Sequence, residues 1–228
     1  PGWPPAAEAT IVARDAERAK LPGSRVQVCR VSTAETVDVL RWAHKRGIPI
    51  SAEVTPHHLM LTTSEVVGYD PTYKVNPPLR PDEHVAVLRE ALADGTIAAV
   101  GTDHAPHARH DKEHAFVDAA PGMLGLEAAL AAVIETMVKP GLLDWAGVAE
   151  RMSYQPAQIA RLPHQGRPLR VGEPANVVLV DPEARTVVDR NTSASLSRNN
   201  PWHGRALPDP VAATVWRGRV TYQRDPKG

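Results

Sequence analysis

Three short polar clusters carry side chains able to do chemistry, and each follows an apolar stretch. Cys29-Arg30-Val31-Ser32-Thr33 closes the first, Thr55-Pro56-His57-His58 the second, and Asp103-His104-Ala105-Pro106-His107 the third. A further segment, Lys74-Val75-Asn76-Pro77-Pro78-Leu79-Arg80, follows the second cluster. Asp103 is the sharpest candidate. A carboxylate at the end of a buried strand is costly unless it is paired or bound to a cation. In a hydrolase such a group can ligate a metal and take the proton of a metal-bound water. The alternative is a turn or cap residue, a common use of Asp. His104 reads as an orienting residue, and His107, past a rigid Ala-Pro step, could reach a bound anion. Asn76 precedes Pro77-Pro78, which restricts its backbone to extended conformations. Held so, its amide suits a planar polar ligand; a plain turn Asn is the other reading.

The remaining candidates read as structural. Adjacent side chains point in different directions, so one metal rarely takes both His57 and His58. The expectation is that one packs beneath the rim and the other faces solvent. His110 and His114 fall in a polar stretch expected to form a solvated loop, more lid than metal site. Cys29 has no dyad partner beside it, only Arg30, and is expected to be a small buried hydrophobe within its strand.

The elements that must position these residues follow from apolar spacing. Helices are expected over 6–20, 33–46, 83–93, 125–137 and 143–154, with stops at Pro22-Gly23, Gly47 and Asp94-Gly95. Strands are expected over 26–31, 48–54 and 96–102. That alternation is the pattern of βαβ units on a parallel sheet. In such folds ligands bind at the carboxyl ends of the strands, so the three clusters share one rim. Two more strands, 175–180 and 211–216, have no strong helix between them and end in an Arg217-Gly218 turn. The expected organisation is an α/β unit over 1–170 and a small β-rich unit over 171–228.

Composition narrows the function classes. In 228 residues, 26 basic side chains balance 26 acidic ones. That gives no support to a nucleic-acid binder, which needs a basic footprint. No apolar run is long enough to span a membrane. The first residues lack the basic and apolar regions of a secretion signal. One cysteine rules out a disulfide framework and a Cys-rich zinc module. The 22 prolines sit in turns rather than in a low-complexity tract. A cytoplasmic protein is the expectation, and the Pro-rich opening without Met reads as a chain cut upstream.

The motifs EVTPHHL, YKVNPPLR, GTDHAPH and APGMLGLE, in that order and spacing, resemble a bacterial dihydroorotase of the long, type I kind. The opening GWPPAAEATIVARDAERA, the strand VCRVST, and the tail from VGEPANVVLVDP to SRNNPWHGR are similar to the same family. The resemblance implies an amidohydrolase-superfamily member, with a (β/α)8 TIM-type barrel, a metal centre at the C-terminal rim and a small flanking β domain. It implies a zinc-dependent cyclic amide hydrolase of pyrimidine biosynthesis, interconverting N-carbamoyl-L-aspartate and dihydroorotate. It makes Asp103 the metal-binding, proton-shuttling aspartate. It makes Asn76 and His107 contacts to the substrate's carboxylate and ring, and gives Ala120, Pro121 and Gly122 a loop whose backbone meets the ring. Hydantoinases and allantoinases are the nearest confusable families; NPPLR and DHAPH separate the chain from them.

The departures carry equal weight. The family's His-x-His pair, its bridging residue and a further His ligand have no counterpart here. The chain resembles the C-terminal half of the family, with the last barrel strands only. Where the family reads CHVST, this chain has Arg30 in place of the metal-binding His, and Arg offers no lone pair. Two readings follow. The first is a dihydroorotase fragment, inactive alone. The second is a non-catalytic remnant or scaffold, since catalytically dead relatives that assemble with aspartate transcarbamoylase are known in this group. An open sheet would also expose an edge and apolar faces, so self-association into a homo-oligomer or partial folding is expected.

Overall fold

The computed structural model describes residues 3–225. Pro1-Gly2 and residues 226–228, which open and close the two expected units, lie outside the described residues.

Helix α1 spans Pro5–Ala19, with Pro5 in the first turn, where its missing N–H costs nothing. Strand β1 is Val26–Val28. Helix α2, Ala34–Lys45, starts where the Thr33 hydroxyl accepts the Thr36 N–H. Strand β2 is Ile50–Val54, followed by a short helix α3, Pro56–Met60. Helix α4, Asp82–Asp94, ends at Gly95, which has φ 89°. Strand β3 is only Ala99–Val100. The three strands pair in parallel in the order β1-β2-β3, each joined to the next by helices. The unit is α/β, and the sheet does not close on itself.

Burial along β2 alternates. Ile50, Ala52 and Val54 face a core built with Val12, Leu40, Leu88 and Leu92 of the helices. On the other face the side chains of β1 and β2 are polar, not the apolar ones expected from an opened sheet. Ser51 hydrogen-bonds Gln27, and Gln27 donates to Glu53 at 3.3 Å. A side-chain period of two puts these residues on one face.

Helix α5 is the short Arg109–Lys112. Helix α6, Ala129–Val133, continues as a π-helical stretch, Ile134–Val138. Helix α7, Trp145–Ala149, runs through a second π-helical stretch, Glu150–Tyr154, into α8, Gln155–Ile159. The remaining strands are antiparallel: β4 (Val177–Val180), β7 (Val211–Trp216) and β8 (Arg219–Gln223) form one sheet. Strands β5 (Arg185–Val187) and β6 (Ala206–Pro208) form a two-stranded ladder. A second apolar cluster joins Leu61, Val75, Leu79 and Met123 to Trp202 and Leu207. Trp202 is 1% exposed, and its indole N–H donates to the Leu124 carbonyl at 3.2 Å.

Candidate functional site

The rim begins with two residues in an unusual backbone state. Arg30 has φ 60° and Asp103 φ 45°, left-handed values that a side chain disfavours. Each follows a strand end by a few residues, and the turn aims both side chains at one point. Arg30 Nη1 lies 3.4 Å from Asp103 Oδ1 and donates to the Asn76 carbonyl at 2.9 Å. One guanidinium nitrogen thus ties together the segments after β1, β2 and β3. Burial raises the Asp103 carboxyl above its ordinary pKa, against the opposing pull of Arg30.

Asn76 is positioned from beneath. His58 Nε2 lies 3.2 Å from the Pro77 carbonyl and 3.3 Å from that of Pro78. Carbonyls only accept, so Nε2 carries the proton. Nδ1 is then left to accept the Thr55 hydroxyl at 2.8 Å. The expectation that one of the His57-His58 pair faces solvent is overturned: both are 1% exposed. The reason is local. Thr55 caps α3, with Pro56 in its first turn, and this helix turns both imidazoles inward. Burial lowers the His58 pKa to about 4 and holds His57 well below its ordinary value. His57 Nε2 has no hydrogen-bond partner among the described residues. Arg80, from the same NPPLR stretch, is a buried tie: it donates to Ser32 Oγ at 3.1 Å and sits 3.9 Å from Glu8.

The other side of the rim is a loop. His107 Nε2 donates to the Pro121 carbonyl at 3.1 Å, while its backbone N–H reaches Asn199 Oδ1 at 3.4 Å. Asn199 Nδ2 donates in turn to the carbonyls of Ala105 (2.8 Å) and Gly122 (3.1 Å). The Gly122 N–H donates to the Lys74 carbonyl at 2.8 Å, joining this loop to the segment that carries Asn76. Lys112 Nζ holds the Ala120 and Gly122 carbonyls at 2.8 and 3.0 Å. Burial and the nearby Lys74 lower the Lys112 pKa to about 8. His104 acts as an anchor, its Nδ1 accepting the N–H groups of Gly125 and Leu126.

Asn199 and Lys112 tie the rim together without any role expected from the sequence, and His58 is the imidazole expected beneath the rim. Only His58 had a local signal, the Thr-Pro helix start before it. Cys29 corrects another expectation: β1 ends at Val28, so Cys29 leaves the strand and is exposed. Partial desolvation of its thiol and the neighbouring Glu53 carboxylate raise its pKa, which disfavours the thiolate. His110 is exposed as expected, although it lies in α5.

Zinc is the metal the sequence resemblance implies, and it needs several lone-pair donors at about 2 Å. Beside Asp103 stands instead a guanidinium, a cation without a lone pair. Among the described residues no group of three His, Cys, Asp or Glu side chains is placed to hold a metal ion. These residues do not fit zinc. No helix is long and apolar enough to cross a membrane, among the described residues.

No family model matches the sequence. The chain is 56% identical over 220 residues to the dihydroorotase of Streptomyces coelicolor, covering 96% of this chain and 51% of the relative. It is 55% identical to that of Mycobacterium tuberculosis, with the same coverage. Among solved structures, an L-hydantoinase (dihydropyrimidinase) from Arthrobacter aurescens superposes with a TM-score of 0.90 at 31% identity, over 97% of this chain and 50% of the other. A dihydropyrimidinase from Brevibacillus agri shares the fold, with a TM-score of 0.89 at 24% identity over 96% of this chain and 49% of the other. The chain spans about half the length of the curated relatives it matches. Hydantoinases match in fold, but dihydroorotases match in sequence at 55–56% identity against 24–31%, and over the stretch they share this chain belongs to the dihydroorotase family.

Proposed function

We propose that this chain carries the substrate-facing rim of a dihydroorotase, the enzyme that interconverts N-carbamoyl-L-aspartate and dihydroorotate. Asn76 and His107 contact the carboxylate and ring, and the backbone of Pro121 and Gly122 meets the ring. Asp103 is the residue placed to handle the proton. The observation that carries this reading is the convergence of Arg30, Asn76 and Asp103 from three strand ends onto one guanidinium nitrogen. The three parallel strands are read as the last strands of a (β/α)8 barrel in the C-terminal half of such a protein, with the β-rich unit over 171–228 as its flank. The cytoplasm is the compartment proposed.

On this reading the chain binds its ligands without turning them over by itself. Opening the cyclic amide needs an activated water, and Asp103 shares its carboxylate with Arg30 instead of a metal. A second reading, a non-catalytic scaffold that associates with aspartate transcarbamoylase or with copies of itself, is favoured by the same pair. The test is calorimetric binding of dihydroorotate and N-carbamoyl-L-aspartate, beside a hydrolysis assay with added zinc and an Asp103→Ala control. Saturable binding without turnover supports the first reading. Absence of binding favours the scaffold. Turnover that Asp103→Ala abolishes overturns the claim of inactivity.

A further inference from the structure

We infer that Arg30 is a built-in cation: its guanidinium fills the place beside Asp103 that a divalent ion would take, and it fastens the rim without any metal. The inference rests on the reading of Asp103 as the family's metal-binding aspartate.

Three observations support it. First, one nitrogen serves two acceptors from different strand ends, 2.9 Å from the Asn76 carbonyl and 3.4 Å from Asp103 Oδ1. Bridging a carboxylate and a carbonyl from separate segments is the mechanical work a bound cation does. Second, Arg30 and Asp103 both hold left-handed backbones without being glycine. Such strain persists only where the surroundings impose it, and here the two strained residues are each other's partners. Third, among the described residues no group of three His, Cys, Asp or Glu side chains is placed to hold a metal ion at this point or elsewhere. A divalent ion at Asp103 would lie against the guanidinium's like charge. Because the cation is covalently part of the chain, its occupancy does not depend on metal supply, and a chelator cannot remove it.

The test uses the full chain with Arg30→Met, Asp103→Asn and the double variant. Zinc content after equilibrium dialysis is measured by mass spectrometry, and melting midpoints are taken with and without zinc or EDTA. The expected result is the same zinc content in the wild type and Asp103→Asn. Each single substitution lowers the midpoint by about 2–4 °C, and the double variant melts no lower than the worse single. EDTA changes nothing. Zinc uptake that Asp103→Asn leaves unchanged reports surface histidines and agrees with the inference. Zinc uptake that Asp103→Asn abolishes overturns it, as do strictly additive losses in the double variant. If Arg30→Met does not fold, Arg30→Gln, which removes the charge and keeps a polar side chain, replaces it in the cycle. Dihydroorotate binding is scored separately: its absence with a metal-free rim discards the proposed substrate and leaves the role of Arg30 standing.

Discussion

Asn199 and His107 meet across 92 positions of sequence, the Asn199 amide oxygen accepting the His107 backbone N–H at 3.4 Å. The same amide gives its two protons to the carbonyls of Ala105 and Gly122. Asn199 is 4% exposed, so water does not replace these bonds freely. Asn199→Ala leaves buried groups unpaired and is expected to cost about 1–3 kcal/mol. Asn199→Asp cannot donate to the carbonyls and is expected to be no better. Urea denaturation of both variants checks this. A variant as stable as the parent would remove Asn199 from the account of the rim.

Gly122 is where the loop comes closest to its neighbours. It has φ 148°, and a Cβ there would lie 2.6 Å from His107 Nε2 and 2.7 Å from the Ala105 Cβ. Gly122→Ala must therefore displace His107 or the loop. On the proposed function, dihydroorotate affinity falls at least about tenfold, a loss of about 1.4 kcal/mol. Calorimetry reads the affinity, and unchanged binding would show that this loop does not meet the ligand.

The buried histidine pair sets an acid limit. Both pKa values are lowered in the fold, that of His58 to about 4. Below pH 6.5 the unfolded chain takes up protons that the folded chain refuses. Stability from this source is complete above pH 6.5 and is lost as pH falls toward 4. With two protons involved the slope is at most about 2.7 kcal/mol per pH unit. Replacing His58 by Gln is expected to flatten the pH dependence of the melting midpoint between pH 6.5 and 4. An equal slope in the variant would contradict the buried, neutral assignment.

Lys112 gives the opposite limb. Its pKa is lowered to about 8, against about 10.5 in the unfolded chain. Between these values the unfolded state holds the proton and the folded state does not, so this group's contribution to stability rises with pH. The midpoint difference between the parent and Lys112→Gln is expected to move in favour of the parent from pH 8 to pH 10. A flat difference would mean that the ammonium is solvated.

Much of this was legible in the sequence, and the exceptions have physical reasons. Strand β7 has the bounds read from VAATVW, and α2 begins at the Thr33 cap as its sequence signals. Strand β3 was read over seven residues and has two, because its ladder to β2 holds only two paired positions. The 125–137 helix begins at Ala129 and passes into a π-helical stretch, a distinction that apolar periodicity does not carry. At the site, Asp103, Asn76 and His107 stood out because they follow strands. Asn199 did not: it sits in a segment read only as weakly basic, and its partners lie far off in sequence. The Arg30–Asp103 pair, 73 positions apart, is likewise invisible to local reading. Of the His57-His58 pair, one imidazole held beneath the rim is legible in the sequence; the second is not, because the helix that starts at Thr55-Pro56 turns it inward as well.

Trp202 gives the molecule its own optical gauge. Of five tryptophans it alone is buried; Trp3, Trp145 and Trp216 are exposed and Trp42 is half-buried. Its indole sits in the apolar cluster that joins the rim loops to the C-terminal strands. A blue-edge emission component, resistant to aqueous quenchers, therefore belongs to this one residue. Loosening of the seam between Leu124 and residue 202 registers as a red shift of that component, with no label attached.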